Sequence, residues 1–288
     1  MLRAADLTVT IRAALRAAQE RLRPVSESAA LDAHVLLAET LGKSRAYLLT
    51  HDDETLSFEQ ERQLNAWVSR RAAGEPVAYI TGRRAFYDRE IIVTPEVLIP
   101  RPETELLLEQ TLAIVGANGG SPQPTVVDVG TGSGALAVTL AAHCPQARVY
   151  ATDSSAAALA VAQRNTEANS VTVTFMQGDL LQPLIDGGIR VDLIMANLPY
   201  IAQDELAGLA VSRFEPRLAL DGGADGLDLI RRLLAQAPQV CNAGAVILLE
   251  IGVRQGVAVR ELAQALSPQS VDVLPDYAGY DRMVKIVL

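Results

Sequence analysis

The sequence predicts an α/β protein: a doubly wound, largely parallel domain of seven strands, preceded by a small helical bundle and joined to it by a β-hairpin. Three observations carry this. Val126-Val127-Asp128-Val129 is a β-branched run that breaks into Gly130-Thr131-Gly132-Ser133-Gly134, and the helix-forming Ala135–Ala142 follows at once. Strand, glycine loop and helix in that order open a nucleotide site in doubly wound folds. Downstream the chain alternates strand and helix patterns, whereas upstream it shows helical periodicity alone.

From about Thr8 to Gly74 the apolar residues recur at helical spacing. Ile11, Leu15, Ala18 and Leu22 mark one helix, which Pro24 stops. Leu31, Val35, Leu36, Ala38 and Leu41 mark a second, with Gly42 as a C-cap. Ser57 and Gln60 form a capping box ahead of Leu64, Trp67 and Val68, and Gly74 ends that helix. Residues 1–74 are thus expected to be a helical module for docking a substrate, not for chemistry. Residues 75–101 change character: Val77, Tyr79, Ile80, Phe86, Tyr87, Ile91 to Val93 and Val97 to Ile99, broken by Gly82, Pro95 and Pro100, predict a hairpin linker. Residues 102–288 form the third region. Pro102 suits the first turn of a helix through Leu106, Leu107 and Leu108, and Glu103 and Glu105 suit its N-terminal dipole. A polar loop, Gly116 to Pro124, leads into the central strand.

After the glycine loop, Arg148–Thr152 reads as the second strand of this domain, Val171–Met176 as the third and Val191–Ala196 as the fourth. The helix Ala156–Ala168 lies between the second and third, with Asp153 or Ser154 suited to cap it. A long loop, Ile201 to Asp225, precedes a helix from Gly226 to about Ala237. A strand at Ala245–Ile251, a helix at Gln255–Leu266 and terminal strands at Val271–Leu274 and Met283–Leu288 complete the set.

Composition bounds the function. The 288 residues are 49% hydrophobic and 20% charged, ordinary for a globular protein, and no apolar run is long enough for a membrane span. Residues 1–6 carry an acid and lack a signal-peptide core, so a cytoplasmic protein without membrane contact is expected. A net charge of −9 argues against nucleic-acid binding, which needs a basic face. Arg70, Arg71, Arg83 and Arg84 cluster in sequence, a pattern that solvated helix ends and hairpin arms also produce. Cys144 and Cys241 are far apart, and with His34, His51 and His143 they form no metal-ligand spacing, so no metal is expected. Cys144 is expected to pack behind the glycine-loop helix, and His143 to sit near that helix's C-terminal end.

The glycine loop admits two chemistries. Gly130, Gly132 and Ala135 fit the dinucleotide pattern of nicotinamide enzymes. Gly130, Gly132 and Gly134 resemble the nucleotide loop of S-adenosylmethionine-dependent methyltransferases. On either reading the glycines turn the backbone tightly and bring its N–H groups toward a ligand. Asp153 lies about 20 residues beyond the loop, where an acid accepts hydrogen bonds from ribose hydroxyls. Asp179 is placed to reach an adenine amino group and Leu180 to cover the ring.

Asn197-Leu198-Pro199-Tyr200, at the end of the fourth strand, separates the two. Ligands in open α/β sheets bind beyond the carboxyl ends of the strands. An amide or arylamine nitrogen is a poor nucleophile because its lone pair is delocalised. The Asn197 side-chain oxygen and the Leu198 carbonyl can each accept one N–H of an NH₂ group, aiming the lone pair at a methyl donor, with orientation as the main source of rate. Tyr200 can pack on a planar substrate. Hydride transfer has no use for this set.

These residues resemble the protein-glutamine N5-methyltransferases that modify peptide-chain release factors, the PrmC/HemK family. The likeness covers nearly the whole chain. It rests on Glu75-Pro76 with Tyr79-Ile80 and Gly82, on Val97-Leu98-Ile99-Pro100-Arg101-Pro102-Glu103-Thr104-Glu105, on Phe214-Glu215-Pro216 with Leu218-Ala219-Leu220, and on Gly222-Gly223-Ala224-Asp225-Gly226-Leu227. The resemblance implies a Rossmann-like, seven-stranded class I methyltransferase domain after an N-terminal helical domain. By the match, Gly130, Thr131, Gly132, Ser133, Gly134, Asp153, Leu180 and Asn197 would contact S-adenosylmethionine, and Asp179 joins them by its position after the third strand. Asn197, Leu198, Pro199 and Tyr200 would hold the glutamine of a Gly-Gly-Gln motif in the release factor, with Asn197 and Tyr200 catalytic. No sequence feature fixes the oligomeric state, and a monomer is the simpler expectation.

Where the family usually has Asn-Pro-Pro-Tyr, this chain has Leu198, which keeps the carbonyl, gains an N–H and loses proline's fixed φ. Asn-Leu-Pro-Tyr also resembles the motif of ribosomal RNA adenine-N6 dimethyltransferases, which leaves an RNA enzyme as the alternative. A relative weakened at Leu198, binding its partner without turnover, is the third reading.

Overall fold

The computed structural model describes residues 9–116, 123–209 and 213–288. Residues 117–122 of the expected polar loop, residues 210–212 of the long loop and residues 1–8 lie outside the described residues. The chain divides into two compact units, Met1–Gly82 and Arg83–Leu288.

The first unit is helical: α1 (Ile11–Leu22), α2 (Ala29–Leu41), α3 (Arg45–Thr50), α4 (Phe58–Ala72) and α5 (Val77–Thr81). Thr10 caps α1 through Ala13 N–H, the Ser57–Gln60 capping box opens α4, and Gly42 closes α2 at φ 61°. Ile11, Leu22, Leu36, Leu37, Leu48 and Leu64 share its core. Two expectations change here. Leu31, assigned to the apolar face of α2, is 48% exposed, and Ala33 and Leu37 are buried instead. Val77–Thr81, expected as extended chain, is a helical turn in which Ile80 joins the helical core. Local β-propensity yields there to tertiary burial. Three of the four clustered arginines are paired: Arg70 with Glu75, Arg71 with the buried Asp32 at 2.7 Å, and Arg83 with Glu90.

The second unit opens with the hairpin β1 (Arg83–Phe86) and β2 (Arg89–Ile92). A 3-10 turn, Pro102–Thr104, leads into α6 (Glu105–Gly116). Then come β3 (Thr125–Val129), α7 (Ala135–His143), β4 (Arg148–Asp153), α8 (Ala156–Asn169), β5 (Thr174–Gln177), α9 (Gln182–Asp186) and β6 (Val191–Ala196). The chain ends with α10 (Gln203–Leu206), α11 (Asp228–Gln236), β7 (Cys241–Glu250), α12 (Gly256–Ala263), β8 (Ser270–Pro275) and β9 (Asp281–Val287). The cap of α8 is Ser155, whose hydroxyl accepts Ala158 N–H, and not Asp153 or Ser154. Cys144 is the buried C-cap of α7, and His143 in its last turn meets Asp88 at 3.0 Å.

Seven strands form one sheet in the order β5-β4-β3-β6-β7-β9-β8, with β9 antiparallel to both its neighbours and the remaining pairings parallel. The chain moves outward from β3 through β4 to β5, then returns to place β6 on the other side of β3. That reversal is a topological switch point, where open α/β sheets bind ligands. Val129 and Ala196 are register partners across it, so Gly130 and Asn197 leave the sheet side by side. Asn165 of α8 is fully buried and ties the hairpin to the glycine loop. Its Oδ1 accepts Ile92 N–H at 2.7 Å, and its Nδ2 donates to the carbonyls of Ile92 and Ser133 at 2.9 and 2.8 Å. Among the described residues no helix is long and apolar enough to cross a membrane.

Candidate active site

A cavity of about 450 Å³ opens at the switch point. Its wall includes Gly130, Thr131, Gly132 and Ser133 from the glycine loop, Asp153 from β4, Asp179 and Leu180 after β5, and Asn197, Leu198 and Pro199 after β6. Pro100, Arg101 and Thr104, and Pro216 and Leu218, close other sides. The volume suits a ligand of nucleoside-conjugate size.

Two expected residues stand outside that wall. Gly134, at φ 79°, caps α7, and a Cβ there would lie 3.0 Å from Ala162 Cβ. It permits close packing of α7 on α8. Tyr200 points its hydroxyl at Glu250 Oε1, 3.4 Å away, and packs beside Gly252. Burial, and then the Glu250 charge, push its phenol up to about 12.

The glycine loop differs from its expected use. Gly130 and Thr131 N–H both donate to the Thr152 carbonyl at 2.9 and 3.0 Å, Gly134 N–H to the Thr131 carbonyl at 2.8 Å, and Gly132 N–H to Asp153 Oδ2 at 2.9 Å. These donors are engaged within the protein and do not form a phosphate cradle. The nicotinamide reading loses these four backbone donors for a pyrophosphate. Asp128, buried in the cavity wall, accepts the Thr131 hydroxyl at 2.6 Å. Burial pushes its carboxyl up to about 7, against the Thr131 and Ala137 donors.

Asp153 accepts Ser155 N–H on its other oxygen at 2.9 Å, which leaves lone pairs on both oxygens for ribose hydroxyls. Burial is the main influence raising its carboxyl. Leu180 adopts φ 52°, uncommon for a non-glycine residue, and presents its side chain to the cavity. Asp179 is ion-paired with Arg232 of α11, a partner the sequence pattern did not disclose.

Asn197 Nδ2 donates to Thr104 Oγ1 at 3.0 Å, and among the described residues no donor meets Asn197 Oδ1 or the Leu198 carbonyl. Leu198 is 4% exposed, and its Cδ2 lies 3.0 Å from where a Gly130 Cβ would stand, so leucine packs directly under the glycine loop. The Tyr200 carbonyl accepts Gln255 Nε2 at 3.0 Å. Gly226 at φ 77° leaves no room for a side chain, since a Cβ would stand 2.3 Å from that carbonyl.

Known proteins place this arrangement. Residues 13–82 match the PrmC N-terminal domain and residues 103–216 the methyltransferase small domain. A release factor glutamine methyltransferase of Moorella thermoacetica is 44% identical over 279 residues, covering 95% of this chain and 97% of the relative. The chain belongs to the release factor glutamine methyltransferase family. Relatives of that name from Vibrio cholerae (41% identical, 96% of each chain) and Bacillus cereus (39%, 87% and 89%) agree. Among solved structures, a Pyrococcus furiosus methyltransferase aligns with TM-score 0.52 at 19% identity, covering 77% of this chain and 96% of its own. A T. thermophilus 16S rRNA methyltransferase solved with AdoMet and guanosine aligns with TM-score 0.52 at 20% identity, covering 71% and 49%. At those identities the likeness is one of fold.

Several site residues carry no signal in the sequence. Glu215 is buried and accepts both Arg101 Nη2 at 2.5 Å and Ile99 N–H at 3.2 Å, joining two of the distinctive family segments at the cavity. In the sequence pattern Glu250 and Gln255 mark only the end of a strand and the start of a helix. Thr104 belongs to the Val97–Glu105 segment, where the sequence alone shows only helix-start chemistry.

Proposed function

We propose that this protein methylates the side-chain amide nitrogen (N5) of the glutamine in the Gly-Gly-Gln motif of peptide-chain release factors. Membership of the family makes it a methyltransferase acting on release factors with S-adenosylmethionine as donor. The single observation that supports the finer reading is the pairing of Gly130 and Asn197 at the switch point, with the Asn197 amide held by Thr104. It sets an oriented acceptor beside a nucleoside-sized cavity.

The cavity residues fit the donor. Asp153 would hold the ribose hydroxyls, Asp179 the adenine amino group, and Leu180 the ring face, while Gly130 to Ser133 form a smooth backbone floor. Gly134 contributes by packing the loop's helix. When bound, S-adenosylmethionine supplies an electrophilic sulfonium methyl. The protein's part is orientation. Asn197 Oδ1 and the Leu198 carbonyl each accept one N–H of the glutamine carboxamide, which turns its nitrogen lone pair toward the cavity. Pro199 stiffens the turn, and Tyr200, fixed through its carbonyl by Gln255, offers the flat face on which the carboxamide packs. The helical residues 1–74 serve as a docking module, residues 75–101 as linker and residues 102–288 as the catalytic part. The acidic net charge supports a protein substrate over RNA, and the protein works as a cytoplasmic monomer away from membranes.

The test is peptide mass spectrometry of a purified release factor incubated with the protein and S-adenosylmethionine, with a structured ribosomal RNA as parallel substrate. One methyl on the Gly-Gly-Gln glutamine is expected. Methylated adenine in the RNA would transfer the assignment to the RNA enzymes. Release-factor binding by titration without either product would mark a binding-only relative.

A further inference from the structure

The tetrapeptide Asn197–Tyr200 is fastened at both ends by side chains from elsewhere in the second unit. Its first residue is held by Thr104 and its last by one carboxamide. Gln255, half-buried in the turn after β7, makes three hydrogen bonds with its side chain. Its Nε2 donates to the Tyr200 carbonyl at 3.0 Å and to the Gly226 carbonyl at 3.2 Å, and its Oε1 accepts the Gly252 N–H at 2.9 Å. Two of these partners only accept and the third only donates, so a single orientation of the carboxamide satisfies all three. One side chain thus ties the end of the tetrapeptide to the loop carrying Gly226 and to the turn that follows β7.

The backbone around Tyr200 is packed closely enough for this tie to set its place. A Cβ at Gly222 would stand 2.8 Å from both the Pro199 carbonyl oxygen and Tyr200 Cα, and one at Gly252 would stand 3.5 Å from Tyr200 Cδ2. Beyond Tyr200, Ile201 N–H donates to the Leu220 carbonyl at 3.2 Å, and Gly222 N–H donates to the Ile201 carbonyl at 2.8 Å. The glycine-rich loop therefore lies along the backbone of Pro199 to Ile201, and Gln255 closes the remaining side. Gln255 stands outside the wall of the donor cavity, so it acts on the substrate's half of the site. Resting on the proposed function, we infer that Gln255 is a positioning residue whose carboxamide sets where Tyr200 presents its face to the substrate glutamine.

The chemistry of the tie separates a hydrogen-bonded latch from simple packing. A carboxylate is nearly the size of a carboxamide but has no proton to donate. Gln255→Glu would aim a negative oxygen at the Tyr200 and Gly226 carbonyl oxygens, and acceptors set face to face in a partly buried place repel. Those neighbours hold the introduced carboxyl above the ordinary glutamic acid value of about 4.3. Once protonated, it regains an O–H for one carbonyl and keeps an oxygen for the Gly252 N–H. The variant should therefore recover as pH falls. The charged groups nearby are Glu250, Arg254 and Arg282, Asp281 against Gly256 in the first turn of α12, and Asp221 and Asp225 of the loop. All are common to variant and wild type, so the ratio of the two rates cancels them.

The experiment uses the full chain with release factor and S-adenosylmethionine. Gln255→Met, similar in volume and unable to make the three bonds, should lower kcat/KM for the release factor by about 10- to 100-fold. Calorimetric titration should find its S-adenosylmethionine affinity within about twofold of wild type. Gln255→Glu should be slow at about pH 8, and its rate relative to wild type should rise about tenfold by about pH 5.5. Gln255→Met turning over within about twofold of wild type, cofactor affinity falling as far as turnover, or a flat rate ratio in Gln255→Glu would each overturn the inference. A further readout is independent of methylation: hydrogen exchange of the Gly252 amide, expected to be about tenfold faster in Gln255→Met than in wild type. Equal exchange in the two would also overturn the inference. Absence of methylation by the wild type, with the Gly252 amide protected by Gln255, would sink the proposed function and leave the latch standing.

Discussion

Asp153 reaches from the end of β4 to accept the Gly132 N–H at 2.9 Å, so the residue proposed to hold a ribose also fastens the loop beside it. One substitution should therefore act twice. Asp153→Ala is expected to weaken S-adenosylmethionine binding by about 1–3 kcal/mol and also to lower folding stability, because the Gly132 and Ser155 donors lose their acceptor. Calorimetric titration alongside urea unfolding reads both. An unshifted dissociation constant would remove Asp153 from the ribose role, whatever happens to stability.

Asn197→Ala should abolish methylation, a loss of about 100-fold or more in kcat, while cofactor affinity changes little, since the side chain's proposed task is to orient the acceptor amide. Turnover near the wild-type rate in single-turnover assays would dismiss the orientation mechanism.

Asn165 is a structural prediction of another kind. Its removal strands three backbone groups, the part-buried N–H and carbonyl of Ile92 and the buried carbonyl of Ser133. Asn165→Ala should cost about 2–4 kcal/mol in urea unfolding, since each unmet buried polar group is expensive. A loss under about 0.5 kcal/mol, the range of ordinary surface changes, would mean that these bonds are replaced by water.

Gly226→Ala should disturb the site from outside the cavity. A Cβ there would overlap the Tyr200 carbonyl, and φ 77° is strained for alanine. Raised KM for the release factor and about 1–3 kcal/mol lower stability are expected. Kinetics indistinguishable from wild type would show that Tyr200 tolerates displacement.

The buried acid Asp128 sets a pH dependence of stability. Its folded value, about 7, is raised above the usual 3.8, so the folded state binds more protons between those limits. By linkage, its contribution is fully present below about pH 4 and is lost as pH rises through about 7. Asp128→Asn cannot titrate. Its urea midpoint should therefore gain on the wild type between pH 4 and pH 8, and a gap that stays constant across that span would refute the assignment.

Much of the fold was legible because it rests on short-range patterns. Val126–Gly134 announced β3 and its turn, and Ser57 with Gln60 announced the start of α4. The failures share a cause. Val77–Thr81 has the composition of a strand, but Ile80 is buried against the helical core and the chain coils. Leu31 fits a helical stripe by spacing, yet lies outside the face that α2 presents to its neighbours.

The sequence by itself determined the order of elements, the glycine turn, the carboxylates at the ends of β4 and β5, and the Asn-Leu-Pro-Tyr tetrapeptide, because each depends on neighbours in the chain. Only the tertiary structure decided what those residues meet. Register between β3 and β6 sets Gly130 beside Asn197, 67 positions later in the chain. Folding also turns the loop's N–H groups onto Thr152 and Asp153 instead of outward, and brings Thr104 against the amide of Asn197, 93 positions away. Hydrogen bonds and buried charges act over a few ångströms in space, and no local pattern encodes which distant residues will come that close.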